Sequence, residues 1–469
     1  MDGNPVEIDF SREKSVGPTT TLLNYLRSLS SHRGVKEGCA EGDCGACTVA
    51  LAEPAPDGAL RYRAVDSCLL FLPMIDGKQL LTVENLRSPA GSLHPVQEAM
   101  VEHHGSQCGF CTPGFIMSMF VLYKQSTPPS RGEIEDAITG NLCRCTGYRP
   151  IIDAAQSACA RGPADHFSAM EERVRRTLAS FPHDSIDINT AGQRYFRPAA
   201  LEEACRALAE FPGATVIAGG TDVALRVTKL HELLGTVIDL GAVPELRQVS
   251  GSNEGLQIGA GVPLADLPPL LEVKYPALAG TLSLFASRQI RNLATLGGNL
   301  GTASPVGDLS PVLIAGGASV ILQSVRGIRQ VPLDGFFTGY RKTSREPDEL
   351  IQSLRLPPPD GAFIRSYKVS KRRDLDIATL SAGFRLGVTG AGDVDSLTLA
   401  YGGMADRTKR AVKTEQYLIG KPWSRDRVEA AGEYLNQDFS PITDVRGSAE
   451  FRMLAAKNLL LKFWLDSKV

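Results

Sequence analysis

The sequence has 469 residues, more than one hydrophobic core usually supports, so three or more domains are expected. Its 50 lysines and arginines are nearly balanced by 52 aspartates and glutamates, which argues against nucleic acid as a partner, because phosphate binding needs clustered positive charge. Hydrophobic residues make up 43% of the chain, as in ordinary globular proteins, and no stretch approaches the roughly 18 apolar residues of a membrane helix.

The cysteines are unevenly distributed. The N-terminus lacks the basic start and apolar core of a signal peptide, so a cytoplasmic location is expected. Ten cysteines in a reducing compartment seldom form disulfides, and eight of the ten precede residue 146, which calls for a metal or redox explanation. The other two, Cys159 and Cys205, lie on predicted helices and are expected to be ordinary buried residues.

Residues 1–86 are predicted to form a small α+β domain. Apolar or alternating runs at 6–10 and 47–51 predict strands, and residues 21–29 predict a helix between them.

The first cysteine set lies in this domain. Its members are Cys39, Cys44, Cys47 and Cys68. The spacing Cys-x4-Cys-x2-Cys with a distant fourth cysteine is typical of a plant-type [2Fe-2S] cluster. The loop 37–47 is rich in glycine, because a backbone wrapped tightly around sulfur needs positive φ at some positions. A zinc site fits poorly, since structural zinc usually takes paired Cys-x2-4-Cys knuckles.

Residues 87–162 predict a compact bundle of four helices. These helices begin near His94, Thr112, Ser130 and Pro150. Thr112 is expected to cap the second helix, with Pro113 as the first helical residue.

The second cysteine set consists of two close pairs, Cys108 with Cys111 and Cys143 with Cys145. Each pair precedes a helix that starts with proline, so the positive ends of two helices are expected to face the four thiolates. Taken as spacing alone, two cysteine pairs leave a zinc knuckle open as an alternative.

The polar stretch 163–192 is predicted to be a linker, because its periodicity is weak. Beyond it strands alternate with helices. An apolar strand at 215–218 runs into a Gly-Gly-Thr-Asp turn and a helix at 223–229, and a second glycine-rich stretch follows at 292–308. Glycines let a pyrophosphate approach the backbone, and a helix N-terminus favours its charge. Such turns are also common as purely structural features.

A Rossmann dinucleotide fingerprint is not expected. Gly259 and Gly261 have the spacing of its first two glycines, but Leu264 occupies the place of the third.

Two motifs carry a family resemblance. They are Gln-Cys-Gly-Phe-Cys-Thr-Pro-Gly at 107–114 and Asn-Leu-Cys-Arg-Cys-Thr-Gly-Tyr at 141–148, and the ferredoxin triplet precedes both. Together they resemble the molybdenum hydroxylase family, which includes xanthine dehydrogenases and aldehyde oxidases. The resemblance implies that the second cluster lies nearest a molybdenum cofactor, with Gln107 and Cys145 approaching its pterin, and that the first cluster passes electrons to flavin.

The same resemblance covers both glycine-rich stretches, which match an FAD domain in order and separation. It assigns a set of residues to FAD contacts: Val216, Ile217, Ala218, Gly219, Gly220, Thr221, Asp222, Val223, Phe285, Ile290, Ala294, Thr295, Gly298, Asn299, Asp308, Ile351 and Lys368. Lys368 would place a cation near the flavin and favour its reduced, anionic form. Without the family, a solvated surface lysine is the preferred interpretation.

Segments 336–342 and 370–377 resemble those that flank the NAD site in xanthine dehydrogenases. Lys371, Arg372 and Arg373 also fit an ordinary charged turn. Leu375 departs from the pattern, since some family members carry an acidic residue there.

The resemblance implies an α+β multidomain fold. Its parts are a plant-ferredoxin-like β-grasp domain at 1–86, a helical [2Fe-2S] bundle at 87–162, the linker at 163–192, a two-subdomain FAD-binding domain at 193–361 and a C-terminal flavoprotein α+β domain at 362–469.

The implied function is that of the electron-transfer subunit of a xanthine dehydrogenase, oxidising hypoxanthine and xanthine to urate. A molybdopterin-binding large subunit is the expected partner, in an (αβ)2 heterotetramer. Electrons would pass from molybdenum through both clusters to FAD and then NAD+, and no catalytic residue is expected in this chain. The alternatives are the equivalent subunit of an aldehyde or N-heterocycle hydroxylase, and a standalone iron-sulfur flavoprotein carrier.

Overall fold

The computed structural model describes residues 1–469 apart from 2, 14, 56, 57, 89, 126, 127, 191 and 469. The chain divides into two compact units. The N-terminal unit comprises Met1–Ala199, Gly213–Ala242 and Ala286–Ala294. The C-terminal unit comprises Ala200–Pro212, Val243–Phe285 and Thr295–Val469. The flavin domain predicted at 193–361 is therefore divided between the two units.

Helices and strands are numbered along the chain. The helices are α1 (Leu22–Ser28), α2 (Pro95–Glu102), α3 (Thr112–Tyr123), α4 (Arg131–Ile138), α5 (Arg149–Ala160), α6 (His166–Ala179), α7 (Leu201–Glu210), α8 (Ala224–Thr228), α9 (Pro268–Leu271), α10 (Pro276–Ser283), α11 (Arg288–Arg291), α12 (Leu296–Thr302), α13 (Leu309–Ala315), α14 (Leu333–Phe336), α15 (Val412–Leu418), α16 (Arg425–Ala431), α17 (Leu435–Asp438) and α18 (Ala449–Asp466).

The strands are β1 (Thr48–Pro54), β2 (Leu60–Asp66), β3 (Gln79–Leu81), β4 (Ile186–Thr190), β5 (Gln193–Arg197), β6 (Thr215–Ile217), β7 (Thr236–Asp239), β8 (Val249–Ser252), β9 (Gly255–Gly259), β10 (Ser319–Ser324), β11 (Gly327–Pro332), β12 (Phe337–Gly339), β13 (Lys342–Thr343), β14 (Leu350–Leu356), β15 (Phe363–Val369), β16 (Leu380–Val388), β17 (Val394–Gly402) and β18 (Lys409–Arg410).

The first domain is built on an antiparallel sheet in the order β2-β1-β3. Helix α1 buries Leu22, Leu23 and Leu26, and its N-cap Thr21 accepts a hydrogen bond from the Asn24 amide. The strand predicted at 6–10 is wrong: all five residues are described, and none of them is assigned to a strand. Alternation of apolar residues is weak evidence for a strand when no neighbouring strand lies alongside.

Helices α2 to α5 form the predicted bundle. Helix α3 is buried almost all round, so it has no polar stripe, and Phe115, Met117 and Phe120 lie in the core. Helix α4 begins where predicted, and Ser130 is its N-cap. The cap of α3 is Cys111 rather than Thr112, so Pro113 occupies the second helical position.

The stretch expected to be a linker contains regular structure, namely α6 and β4. Its weak periodicity has a physical reason, since α6 buries only Phe167 and Leu178. Just before α6, Asp165 accepts a hydrogen bond from His94 Nε2 at 2.9 Å and forms an ion pair with Lys124 at 3.0 Å. All three side chains are buried, so α6 is fastened to the helical bundle.

A second sheet of the N-terminal unit has the order β4-β5-β7-β6, with β5, β7 and β6 parallel. Its buried Tyr195 hydroxyl donates to Asp239 Oδ2 at 2.8 Å. Burial and the Asp239 carboxylate raise the pKa of Tyr195 well above its usual value. The hydroxyl therefore stays protonated as the donor.

The C-terminal unit holds an antiparallel sheet ordered β11-β10-β14-β9-β8 and another ordered β15-β16-β17-β18. Phe384, Tyr401 and Phe463 pack edge to face between the latter sheet and α18. The predicted α+β multidomain fold is confirmed. In the described part of the chain, no helix is both long and apolar enough to cross a bilayer.

Candidate functional site

The first cysteine set is brought together in the N-terminal unit. Its thiols form two hydrogen-bonded pairs, Cys39 with Cys44 and Cys47 with Cys68. Cys44 also interacts electrostatically with Cys47, and Cys68 with Cys39, so the two pairs are neighbours. The hydrogen bond from Cys44 lowers the pKa of Cys39 to about 6. Two pairs of thiolates suit a cluster of two irons.

The loop around this set aims backbone amides at sulfur. The Glu41 amide donates to Cys39 Sγ at 3.4 Å, and the Gly42 amide points at Cys68. Gly42 and Gly45 have φ values of +83° and +64°, which confirms the predicted need for positive φ. Amides directed at thiolates stabilise their negative charge, so the loop fits a [2Fe-2S] cluster.

The second cysteine set is also assembled in the N-terminal unit, and its thiols pair as Cys108 with Cys145 and Cys111 with Cys143. Cys108 and Cys145 are exposed, whereas Cys111 lies against the bundle, and burial raises its pKa to about 12. Cys143 Sγ receives the Cys145 amide at 3.4 Å and lies 3.2 Å from Thr146 Oγ1. The donor set again fits a two-iron cluster.

Two helices begin next to the second set, as the sequence predicted. Cys111 directly precedes α3, and Cys145 lies four residues before α5. Both helices have 12 residues, long enough for their N-terminal dipoles to favour thiolates nearby. Within the described residues, no three His, Cys, Asp or Glu side chains converge as ligands of a single metal ion.

Two large apolar side chains beside the second set are exposed to solvent. Phe110 and Leu142 are both more than two-fifths exposed, and Gln107 beside Cys108 is exposed as well. Cys159 and Cys205, by contrast, are buried as predicted.

The first glycine-rich stretch lies in the N-terminal unit, where β6 ends in the Gly-Gly-Thr-Asp turn. Gly219 packs so tightly that an added Cβ would overlap the carbonyl of Leu293, next to Ala294. Gly220 has φ +71° and lies against the Leu69 carbonyl. The following helix α8 has only five residues, so the predicted contribution of its dipole to pyrophosphate binding is not supported.

The same turn lies close to the first cysteine loop. Lys229, at the end of α8, donates to the Cys39 carbonyl at 2.8 Å and pairs with Glu41 at 3.3 Å. Leu69, whose carbonyl approaches Gly220, directly follows Cys68. Ile290, another predicted FAD residue, packs into the core that contains Cys68 and Leu69.

The second glycine-rich stretch lies in the C-terminal unit from Thr295 onward, whereas 292–294 belong to the N-terminal unit. Thr295 caps α12 and accepts a hydrogen bond from the Gly298 amide at 3.1 Å. Asn299 Oδ1 and Asp308 Oδ1 are buried and, among the described residues, have no hydrogen-bond partner. A buried oxygen without a partner is costly unless a ligand or water satisfies it. Two predicted FAD residues therefore present polar atoms suited to a ligand.

Lys368 is not a solvated surface lysine, so that interpretation is wrong. Its side chain is 7% exposed and pairs with Asp308, itself 10% exposed, at 2.8 Å. Lys368 Nζ also donates to the Leu284 carbonyl at 2.9 Å. Burial raises the pKa of Asp308, and the lysine opposes that shift. Ile351 is buried in the same unit, and Phe285 is half-buried.

The segments predicted to flank an NAD site differ from each other. Phe336 and Phe337 are buried against each other with ring centroids 5.4 Å apart, which indicates a packing role. In the other segment Lys371 is exposed and donates to the Val445 carbonyl at 2.9 Å. Leu375 adopts φ +52°, an uncommon conformation for leucine.

Asp66, a fully buried carboxyl beside the first set, was not predicted from the sequence. It accepts a weak hydrogen bond from Cys47 Sγ at 3.7 Å, and burial raises its pKa to about 8. The available signal was an aspartate at the end of an apolar strand, two residues before Cys68.

Four family models match the chain. They are a 2Fe-2S iron-sulfur cluster binding domain at 6–69, a [2Fe-2S] binding domain at 82–156, an FAD binding domain in molybdopterin dehydrogenase at 188–359 and a CO dehydrogenase flavoprotein C-terminal domain at 365–467.

Known relatives agree with these matches. Xanthine dehydrogenase from Emericella nidulans is 35% identical over 99% of this chain, and xanthine dehydrogenase/oxidase from Gallus gallus is 33% identical over 97%. The chain spans 38% and 39% of the lengths of these two relatives.

Among solved structures, a chain of carbon monoxide dehydrogenase from Hydrogenophaga pseudoflava matches with TM-score 0.54 and 29% identity, over 57% of this chain and 94% of its own. A chain of quinoline 2-oxidoreductase from Pseudomonas putida 86 matches with TM-score 0.53 and 27% identity, over 58% of this chain and 95% of its own.

Proposed function

Because this chain belongs to the molybdenum hydroxylase family, as its iron-sulfur and flavin electron-transfer part, we propose that it serves a xanthine dehydrogenase. In this proposal a molybdopterin-binding subunit oxidises hypoxanthine or xanthine to urate, and this chain conveys the electrons to NAD+. An (αβ)2 heterotetramer is the proposed assembly.

One observation carries the electron-transfer part of the proposal. The Gly-Gly-Thr-Asp turn lies against Leu69, next to Cys68, through Gly220, and Lys229 at the end of the following helix donates to the Cys39 carbonyl. A flavin held at this turn would be a near neighbour of the group held by the first cysteine set. The second set is largely exposed beside Phe110 and Leu142, which suits a contact with a partner subunit.

The proposed cofactor ligands remain those predicted from the sequence. Each cysteine set would hold one [2Fe-2S] cluster, which carries single electrons. FAD would supply a centre that takes electrons singly and gives them up in pairs. Gly219 and Gly220 would allow close backbone approach, whereas Asn299 and Asp308 would offer oxygens to polar groups of FAD.

Lys368 has a narrower proposed role than its sequence suggested. Because Asp308 balances its charge at 2.8 Å, the pair is close to neutral as a unit. The lysine would chiefly hold Asp308 in place and would contribute less to stabilising an anionic flavin.

A second candidate function is the equivalent subunit of an N-heterocycle hydroxylase. The match to quinoline 2-oxidoreductase favours it, since substrate choice would lie on a partner chain. Reconstitution with a molybdenum subunit should give xanthine-dependent NADH formation, and turnover with quinoline alone would favour this second candidate instead.

Metal and flavin analysis tests the basis of the proposal. The purified chain should contain about four irons, about four acid-labile sulfides and about one FAD, the sum of two [2Fe-2S] clusters and one flavin. Zinc in place of half of the iron would remove the second cluster, and with it the proposed route from a molybdenum partner.

Serine substitution separates the ligands from the other cysteines. Cys111→Ser should lower the iron content by about half while leaving the first cluster's absorbance intact, because each cluster needs four cysteines. Cys159→Ser is the matched control, since Cys159 is buried in the same bundle but outside both sets. Equal iron loss in both variants would contradict the assignment.

NADH-dependent dye reduction tests the acceptor. The chain alone should reduce a dye with NADH if it carries the NAD site. An FAD-loaded chain without this activity would favour a different acceptor or the standalone carrier.

A further inference from the structure

The two cysteine loops meet directly inside the N-terminal unit. The Leu142 amide, one residue before Cys143, donates to the Cys44 carbonyl at 3.0 Å. Next to it, Asn141 Nδ2 donates to the Gly45 carbonyl at 3.0 Å and to Thr48 Oγ1 at 3.1 Å. One backbone hydrogen bond therefore joins Cys44 of the first set to Leu142, the residue next to Cys143 of the second set.

At Gly45 the backbones of the two loops come close together. Gly45 has φ +64°, and an added Cβ would overlap the Gly140 carbonyl. The two backbones can approach this closely because position 45 is glycine. From Cys143 to Cys44 the connection runs through covalent bonds and a single hydrogen bond.

A buried polar network holds the junction. Gln289 Nε2 lies 2.8 Å from Ser118 Oγ, 3.0 Å from Asn141 Oδ1 and 3.1 Å from the Ala137 carbonyl. Ser118 Oγ also donates to Asn141 Oδ1 at 2.6 Å. The side chains of Gln289, Ser118 and Asn141 are 0%, 1% and 2% exposed, so water does not compete for these bonds.

Gln289 comes from α11, far along the chain, and reaches between α3 and the loop before Cys143. An added Cβ at Gly140 would overlap its Oε1, so the loop passes close to this side chain. Gln289 therefore contacts the place where the two cysteine loops meet, and it belongs to neither cysteine set.

We propose that the hydrogen bond from Leu142 to Cys44 is the bridge that couples the two clusters, and that Gln289 is the positioning residue that keeps it short. This inference rests on the proposed function. With a cluster held by each cysteine set, one electron would pass from the second cluster, which would become oxidised, to the first cluster, which would become reduced. No proton transfer would accompany this step.

The test uses the full chain carrying Gln289→Met, which keeps the side-chain length and removes the donor. Amide hydrogen exchange at Leu142, followed by residue-resolved mass spectrometry, should accelerate about tenfold, because a buried amide network protects it. The magnetic interaction between the two reduced clusters, measured by electron paramagnetic resonance, should weaken. Iron content should stay unchanged.

Asn292→Leu is the matched control. Asn292 follows α11, is also buried and donates to the Ala64 carbonyl at 2.8 Å, away from the junction. It should alter neither Leu142 exchange nor the magnetic interaction. Ser118→Ala removes one member of the network, so it should change Leu142 exchange and the magnetic interaction in the same direction but by less. It replaces Gln289→Met in the test if that variant does not fold.

Unchanged exchange and unchanged magnetic interaction in Gln289→Met would overturn the proposal, as would equal changes in Asn292→Leu. A wild-type chain without two clusters would instead defeat the proposed function. Exchange at Leu142 does not depend on that result, so the two failures are distinguishable.

Discussion

Gly114→Ala is expected to strip iron from the first cysteine set and to destabilise the N-terminal unit, although alanine is the better helix former. Gly114 lies in the first turn of α3, and an added Cβ would overlap the Gly45 carbonyl oxygen. Alanine in a free helix position gains up to about 1 kcal/mol over glycine. Overpacking against a fixed backbone costs about 1–3 kcal/mol and displaces it.

The displacement would fall on the loop between Cys44 and Cys47. We expect iron content to drop by about half and the thermal transition followed by circular dichroism to move to lower temperature. The second set should suffer less, because its cysteines do not flank the displaced carbonyl.

Gly132→Ala is the control for helix propensity. Gly132 lies in the first turn of α4, and an added Cβ would meet nothing within 4 Å. This variant should keep its iron and be as stable as the wild type or slightly more so. If both glycine variants kept full iron, the packing of α3 against the first cysteine loop would not be needed to hold iron at the first set.

The cysteine sets could be predicted from the sequence because ligand spacing is local and chemically restrictive. Cys39, Cys44 and Cys47 lie on one loop, and each pair of the second set lies shortly before a helix. The glycine turn at Gly219 and Gly220 was found for the same reason, since positive φ and close approach leave a mark on residue type.

Long-range partners could not be predicted in this way. Gln289 is separated from Asn141 by 148 residues, and nothing in its neighbourhood marks it as the centre of a polar network. The strand expected at 6–10 failed because a strand depends on a neighbour, and the linker expected at 163–192 proved to contain α6, whose buried face is only two residues wide. Packing partners decide these cases, and a single sequence does not name them.

The ion pair of Lys368 is another long-range contact that could not be predicted from the sequence. A lysine is usually solvated, and its partner Asp308 lies 60 residues earlier in the chain. Only the fold brings the two together, which converts a residue of no apparent consequence into half of a buried ion pair.

Lys368→Met is therefore expected to cost about 3–5 kcal/mol, because it leaves the Asp308 carboxylate buried without its cation. Trp423 and Trp464 are the two tryptophans of the sequence and both lie in the C-terminal unit, so their fluorescence during urea unfolding reports on this unit. FAD content should fall with it. Lys371→Met, at an exposed lysine three residues later, should leave the urea midpoint nearly unchanged.

The stability lost in Lys368→Met should also depend on pH, and the direction of this dependence follows from the protonation of Asp308. Burial holds the pKa of its carboxyl above the usual value in the folded state, and removing Lys368 takes away the group that opposes this shift. A carboxyl with a raised folded pKa favours folding when protonated, and that contribution is lost as the pH rises through the folded pKa. The deficit of Lys368→Met should thus be larger at pH 8 than at pH 5, and adding Asp308→Asn should recover most of it, because two neutral side chains leave no unpaired buried charge. A deficit independent of pH, or a double variant less stable than Lys368→Met, would contradict the assignment of Lys368 as the cation that makes a buried Asp308 tolerable.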